Sequence, residues 1–183
     1  AAVLWAAGNV LSSGLLLVYL ARSLGATGLQ VSLLQAAPAL VGLLRLFTPA
    51  LILRFGSAKR VCLQTSVVAY ALLALVPIAV GFGGKASLAA LLWLLCVHQL
   101  LEQIATVAMW TWLGDLVPRR LRGRYFGRRN ILQLCVLLPL LPASGWAVDA
   151  LKRFFPEQPG VPYAVAVAIG TLLLLASLLP LVY

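Results

Sequence analysis

Six long apolar runs, separated by short polar breaks, account for most of the 183 residues. They cover 1–21, 29–53, 61–82, 88–113, 131–148 and 163–183. A membrane-crossing helix needs about 20 mostly apolar residues, and each run is near that length. Turn-forming breakers interrupt them: S-L-G-A-T-G at 23–28, G-G-K at 83–85 and F-P-E-Q-P-G-V-P at 155–162. Leu, Ala and Val follow one another without alternation inside the runs, whereas a β-barrel strand alternates over about 10 residues. The pattern predicts an all-α integral membrane protein with six transmembrane helices.

Composition supports this. Apolar residues make up 63% of the chain and charged residues 10%, against roughly 45–50% and 25% in soluble domains. A net charge of +10 suggests nucleic acid in a soluble protein. Here the basic residues flank apolar runs, so lipid headgroups and topology account for them and no nucleic-acid partner is expected. Cys62, Cys96 and Cys135 stand singly within apolar runs and read as inert buried thiols. The first run is too long for a signal peptide and has no basic leader. The chain starts and stops inside apolar runs, so a longer protein that contains it is expected.

Orientation follows from the positive-inside rule. Arg54, Lys59 and Arg60 lie in the second loop, and Arg119, Arg120, Arg122, Arg124, Arg128 and Arg129 in the fourth. These nine outnumber the four of the odd loops, Arg22, Lys85, Lys152 and Arg153, while Arg45 lies inside a run. Loops two and four are therefore expected in the cytoplasm with the N-terminus, in a cell (inner) membrane. Trp110 and Trp112, where run four meets the basic loop, suit interfacial anchors.

The fourth loop carries more than charge. Gly114 to Asn130 reads G-D-L-V-P-R-R-L-R-G-R-Y-F-G-R-R-N, and Asp115, Pro118, Arg122, Gly123 and Gly127 form the pattern Asp-x-x-Pro-x-x-x-Arg-Gly-x-x-x-Gly. This resembles the loop after the fourth helix of major facilitator superfamily transporters. Between runs two and three, P-A-L-I-L-R-F-G-S-A-K-R at 49–60 is similar to that family's second signature through Arg54 and Gly56. Pro49 stands where the family has Gly, and Leu53 where it has Asp. The resemblance implies one six-helix half-bundle made of two inverted three-helix repeats, covering residues 1–183 as the N-terminal domain of a carrier. It also implies a partner, either a C-terminal six-helix half or a second copy. Arg54, Gly56, Asp115, Pro118, Arg122, Gly123, Arg124 and Gly127 would form its cytoplasmic gate, with Arg122 and Arg124 following a sharp turn and Gly123 kept free of a side chain for a tight turn or close approach.

Polar groups inside the apolar runs mark a face turned from lipid. On run four, His98, Gln99, Glu102, Gln103 and Thr106 fall within an arc of about 140° at helical spacing. Asn9, Ser12 and Ser13 make a narrower arc on run one. Runs three and six are poor in such groups and suit lipid-facing positions. Arg45 and Glu102 lie within about 5 Å of the same depth, close enough to pair. Asn9, Arg45, His98, Glu102 and Gln103 are therefore the expected substrate or proton pathway. Pro38, Pro77, Pro139 and Pro142 predict bends.

With one His, no H-E-x-x-H, no G-x-S-x-G and no P-loop, neither metal, cofactor nor catalytic machinery is expected. The function implied is secondary active transport of a small solute by alternating access, with proton coupling through Glu102. The alternatives are a six-span module without transport activity, serving as assembly factor or sensor, and an intramembrane enzyme.

Overall fold

A computed structural model of the chain describes residues 2–12, 15–81, 84–155 and 160–182. Ser13, Gly83 and residues 156–159 of the expected breaks lie outside them. Among the described residues every regular element is helical. Run one holds α1 (Ala2–Ser12) and α2 (Leu15–Ser23), and run three holds α5 (Ala58–Ala74) and α6 (Val76–Gly81). Runs four, five and six are single helices: α7 (Gly84–Leu116), α8 (Arg122–Phe154) and α9 (Val161–Val182). Among the described residues five stretches are long and apolar enough to cross a membrane: Ala2–Ser23, Ala58–Val80, Leu88–Leu116, Arg122–Phe154 and Val161–Leu181.

Run two departs from the expected continuous span. It folds as α3 (Gly28–Gly42), a 3₁₀ turn (Leu43–Phe47) and α4 (Thr48–Phe55). Pro49 has no N–H to return to the Arg45 carbonyl and would crowd it in an α-helix. The Thr48 N–H bonds that carbonyl instead, tightening the backbone into the 3₁₀ turn. Pro77 acts alike on run three: the Leu75 N–H bonds Leu72 O at 3.1 Å, and α5 gives way to α6. Pro38, Pro139 and Pro142 sit inside unbroken helices.

The basic segment is largely helix rather than loop. Only Val117–Leu121 separates α7 from α8, closed by Leu121 N–H to Pro118 O at 2.9 Å. Arg122 Nε donates to the Val117 carbonyl at 3.0 Å, satisfying an acceptor that α7 leaves at its end. The sharp turn falls at Pro118, ahead of Arg122, but Gly123 lies in the first turn of α8 without positive φ or any atom within 4 Å of its missing Cβ, so neither a tight turn nor a close approach requires glycine there. Gly56 does need its freedom. It ends α4 at φ 67° with its N–H on Ile52 O, a left-handed cap that favours glycine.

Each run has defined packing partners. Run one lies against six and five, and run four against three and two, while three also meets six. This pattern survives exchanging run one with four, two with five and three with six. The core lies where runs one, three, four and six converge: Leu20, Leu73, Leu91, Leu95, Val167 and Leu174 are almost fully enclosed. Runs three and six are thus among the best covered, contrary to the lipid-facing reading. The hydroxyls of Ser12, Thr171 and Ser177 donate to carbonyls of their own helices. They are satisfied locally. Among the five spanning stretches run five is the least covered, with only 11% of its apolar window enclosed against 44% for run six.

Where α1 crosses α9, two glycines let the backbones meet. A Cβ on Gly8 would lie 2.8 Å from Gly170 O, and one on Gly170 would lie 2.9 Å from Gly8 O. Between helices in lipid there is little hydrophobic drive, and such close approach supplies the dispersion contact instead.

Candidate functional site

The site is built on α7. Residues 98 and 102 are one turn apart, so both side chains project from one face. His98 is enclosed, with 2% of its side chain accessible. Its Nδ1 meets the Ala69 carbonyl of α5 at 3.0 Å. A carbonyl only accepts, so Nδ1 carries the hydrogen. That leaves Nε2 facing Glu102 Oε2 at 3.4 Å. A bare imidazole nitrogen and a carboxylate oxygen are both acceptors, so the pair needs one shared proton to be attractive. On the other side, Asn9 Nδ2 donates to Glu102 Oε1 at 3.3 Å. Both carboxyl oxygens are therefore engaged, from α7 itself and from α1.

Asn9, His98 and Glu102 are thus brought together. Arg45 and Gln103 are brought to each other instead. Arg45 Nη2 donates to Gln103 Oε1, and the expected Arg45–Glu102 pair does not form. Depth was matched, but azimuth was not. One residue along a helix turns the side chain by about 100°, so Gln103 faces run two while Glu102 faces run one. Among the described residues the ion pairs are His98–Glu102 and Lys152–Asp149.

A cavity of about 1050 Å³ lies between α1, α5, α7, α8 and α9. On α7 it follows one stripe, Glu102, Ala105, Thr106, Met109 and Leu113, which Val117 just past the helix end continues. On α5 it touches Cys62, Ser66 and Tyr70, and on α8 Arg124, Arg128 and Arg129. Ala2, Leu181 and Val117 also line it. The start of α1, the end of α9 and the end of α7 therefore share one end of the bundle with the arginines. Glu102 lies at the inner end. A second cavity of about 410 Å³ runs from Trp5 and Asn9 past Tyr19 to Ser144 and Gly145, away from the arginines. Trp5 lines both cavities. Asn9 lines the second and bonds Glu102 of the first, so this polar group sits in the partition between them.

The loop-motif residues gather around the basic end. Arg124 lines the cavity, whereas Arg54, Gly56, Asp115, Pro118, Gly123 and Gly127 are exposed. Asp115 has no ion pair among the described residues. The tryptophans expected as anchors hold cations: Lys59 Nζ lies 5.5 Å from the Trp112 ring centre and Arg129 Cζ 5.1 Å from that of Trp110. Cys62 is buried, but Cys96 and Cys135 are exposed on their helices. Sequence reasoning missed Trp5, Ser66, Tyr70 and Arg129 as cavity residues. The stripe of Cys62, Ser66 and Tyr70 at four-residue spacing was a legible signal. Arg129 was hidden among its basic neighbours.

Two donors on one helix, with no third His, Cys, Asp or Glu beside them among the described residues, do not form a metal centre. No protein-family model matches the chain, nor does any curated protein or solved structure.

Proposed function

We propose that this chain is one six-helix half of a secondary active carrier of the major facilitator type, moving a small solute by alternating access with proton coupling at Glu102–His98. The observation that carries the reading is the Asn9–Glu102–His98 group, placed in the partition between two cavities that run toward opposite ends of the bundle. A shared proton there has one cavity leading to each side. Asn9 belongs to α1 and His98 to α7, so relative movement of runs one and four changes how well Glu102 is solvated as an anion. An uncompensated charge at membrane depth costs roughly 2.5–3.5 kcal/mol, so those contacts matter to the group.

Further support comes from the loop pattern at Asp115 to Gly127 and from packing that survives the exchange of runs one to three with four to six. Inverted repeats of three helices give that symmetry in carriers. Runs two and five, equivalent under the exchange, leave Leu29, Leu33, Leu46, Ile131, Leu134 and Leu138 uncovered. Lipid, a second six-helix half or a second copy would cover these faces. In this reading the arginine-lined end is cytoplasmic, in a cell (inner) membrane. An intramembrane hydrolase fits less well: both ring nitrogens of the single His are already engaged, leaving none to activate a nucleophile.

The test is Glu102→Gln in the full-length protein in liposomes, using a solute first found by screening uptake under an imposed pH gradient. Accumulation against a gradient is expected to vanish while solute exchange at equilibrium persists, because exchange needs no net proton movement. Uphill accumulation at the wild-type rate would refute the proton site.

A further inference from the structure

The proposed carrier leaves its solute unnamed, and the larger cavity constrains that choice. Its stripe runs from Glu102 on α7 to Val117 just past that helix's end, a rise of about 22 Å. Between its ends the wall is mainly apolar, through Trp5, Ala105, Met109, Leu113, Leu132 and Leu178. At about 1050 Å³ it reaches the upper range of ligand pockets, roughly 300–1,000 Å³. The shape suits something long and greasy rather than a compact polar solute.

One end carries charge of a single sign. Arg124, Arg128 and Arg129 all line the cavity, and none has an ion-pair partner among the described residues. Arg129 is the telling one. Its Nη1 is buried with no hydrogen-bond partner among the described residues. Its Nη2 reaches only the Met109 sulfur, at 3.4 Å, and its guanidinium stacks over Trp110. These neutral, soft neighbours orient the group without neutralising it. A buried cationic donor left unpaired is unfavourable, and an oxyanion is the group it fits. The opposite end makes no such demand, since both Glu102 oxygens are already engaged by Asn9 and His98.

We infer that the cavity binds a single-chain anionic amphiphile, with its phosphate or carboxylate head on Arg129, Arg124 and Arg128 and its chain along the α7 stripe toward Glu102. The inference rests on the carrier reading for its physiological meaning, because it names that carrier's substrate class. Binding is nevertheless measurable without transport.

The probe is radiolabelled dodecyl phosphate, added to the full-length protein in phosphatidylcholine nanodiscs, with empty nanodiscs as the blank. Saturable binding at one site per chain is expected. Arg129→Met should weaken it by about tenfold or more, the scale of one lost charge-assisted hydrogen bond. Arg124→Gln with Arg128→Gln changes only exposed side chains and should also weaken it, which decides the matter if Arg129→Met fails to fold. Dodecanol should not compete, and inorganic phosphate should need far higher concentration. Equal competition by dodecanol, equal binding of inorganic phosphate, or wild-type affinity in both variants would overturn the inference. Displacement by phosphatidylglycerol built into the nanodisc would also overturn it, assigning the arginines to a bilayer lipid. Binding without uptake would sink the carrier reading alone, whereas proton-driven uptake of a solute with no binding of dodecyl phosphate would sink this inference alone.

Discussion

Replacing Gly8 by Ala tests what holds runs one and six together. The new Cβ would lie 2.7 Å from Leu174 Cγ, 2.8 Å from Gly170 O and 2.9 Å from Leu174 N. Two of these three are backbone atoms, which cannot swing aside. Ordinary contacts begin near 3.4 Å, so the crossing must open by ~0.5–0.7 Å, and a gap of that order forfeits a quarter or more of the affected dispersion energy. Overpacking of this kind costs about 1–3 kcal/mol. Helix propensity pulls the other way, since Ala is favoured over Gly by about 1 kcal/mol in a helix interior. The net expectation is a loss of roughly 0–2 kcal/mol against the parent, and of about 1–3 kcal/mol against a variant that gains propensity alone. Gly114→Ala and Gly145→Ala supply the control: nothing lies within 4 Å of either missing Cβ, so propensity acts alone and stability should hold or rise. Gly170→Ala should resemble Gly8→Ala. The double variant should lose less than the two singles together, because one opening relieves both clashes. Reversible unfolding in mixed micelles, followed by circular dichroism, reads all of these. A Gly8→Ala protein as stable as Gly114→Ala would refute the close crossing.

Because Arg45 bonds Gln103 rather than Glu102, Glu102→Gln leaves Arg45 its partner. Arg45→Met should therefore fail to rescue any defect of Glu102→Gln, and rescue in a thermal-stability assay would restore the direct pair. The proposed orientation is checked by single cysteines in a cysteine-free background. Those at positions 57 and 123 should be labelled from the cytoplasm, and those at 27 and 155 only from outside. Labelling of 123 and 155 from one side would break the alternation of α8.

Period and composition were enough to predict apolar helices of membrane-crossing length, and five such stretches stand among the described residues. Uninterrupted apolar runs of about 20 residues admit few other solutions, because backbone polar groups in lipid must be satisfied within the segment. The 3.6-residue repeat likewise placed His98 and Glu102 on one face of α7 before any neighbour was known. Three things needed the tertiary structure. The first was the path of run two, where Pro49 forces a 3₁₀ turn that apolar length alone conceals. The second was azimuth between helices: periodicity fixes how residues of one helix stand relative to each other, but not which neighbour each meets. Arg45 thus found Gln103, and Glu102 found Asn9. The third was the role of Gly8, Ser66, Tyr70 and Arg129. Gly8 matters only because Gly170, 162 residues away, crosses it, and Arg129 stands out from five basic neighbours only because α7 places a sulfur and an indole, rather than an acid, beside it. Relations of this kind belong to the packing of one helix on another, and no single helix encodes them.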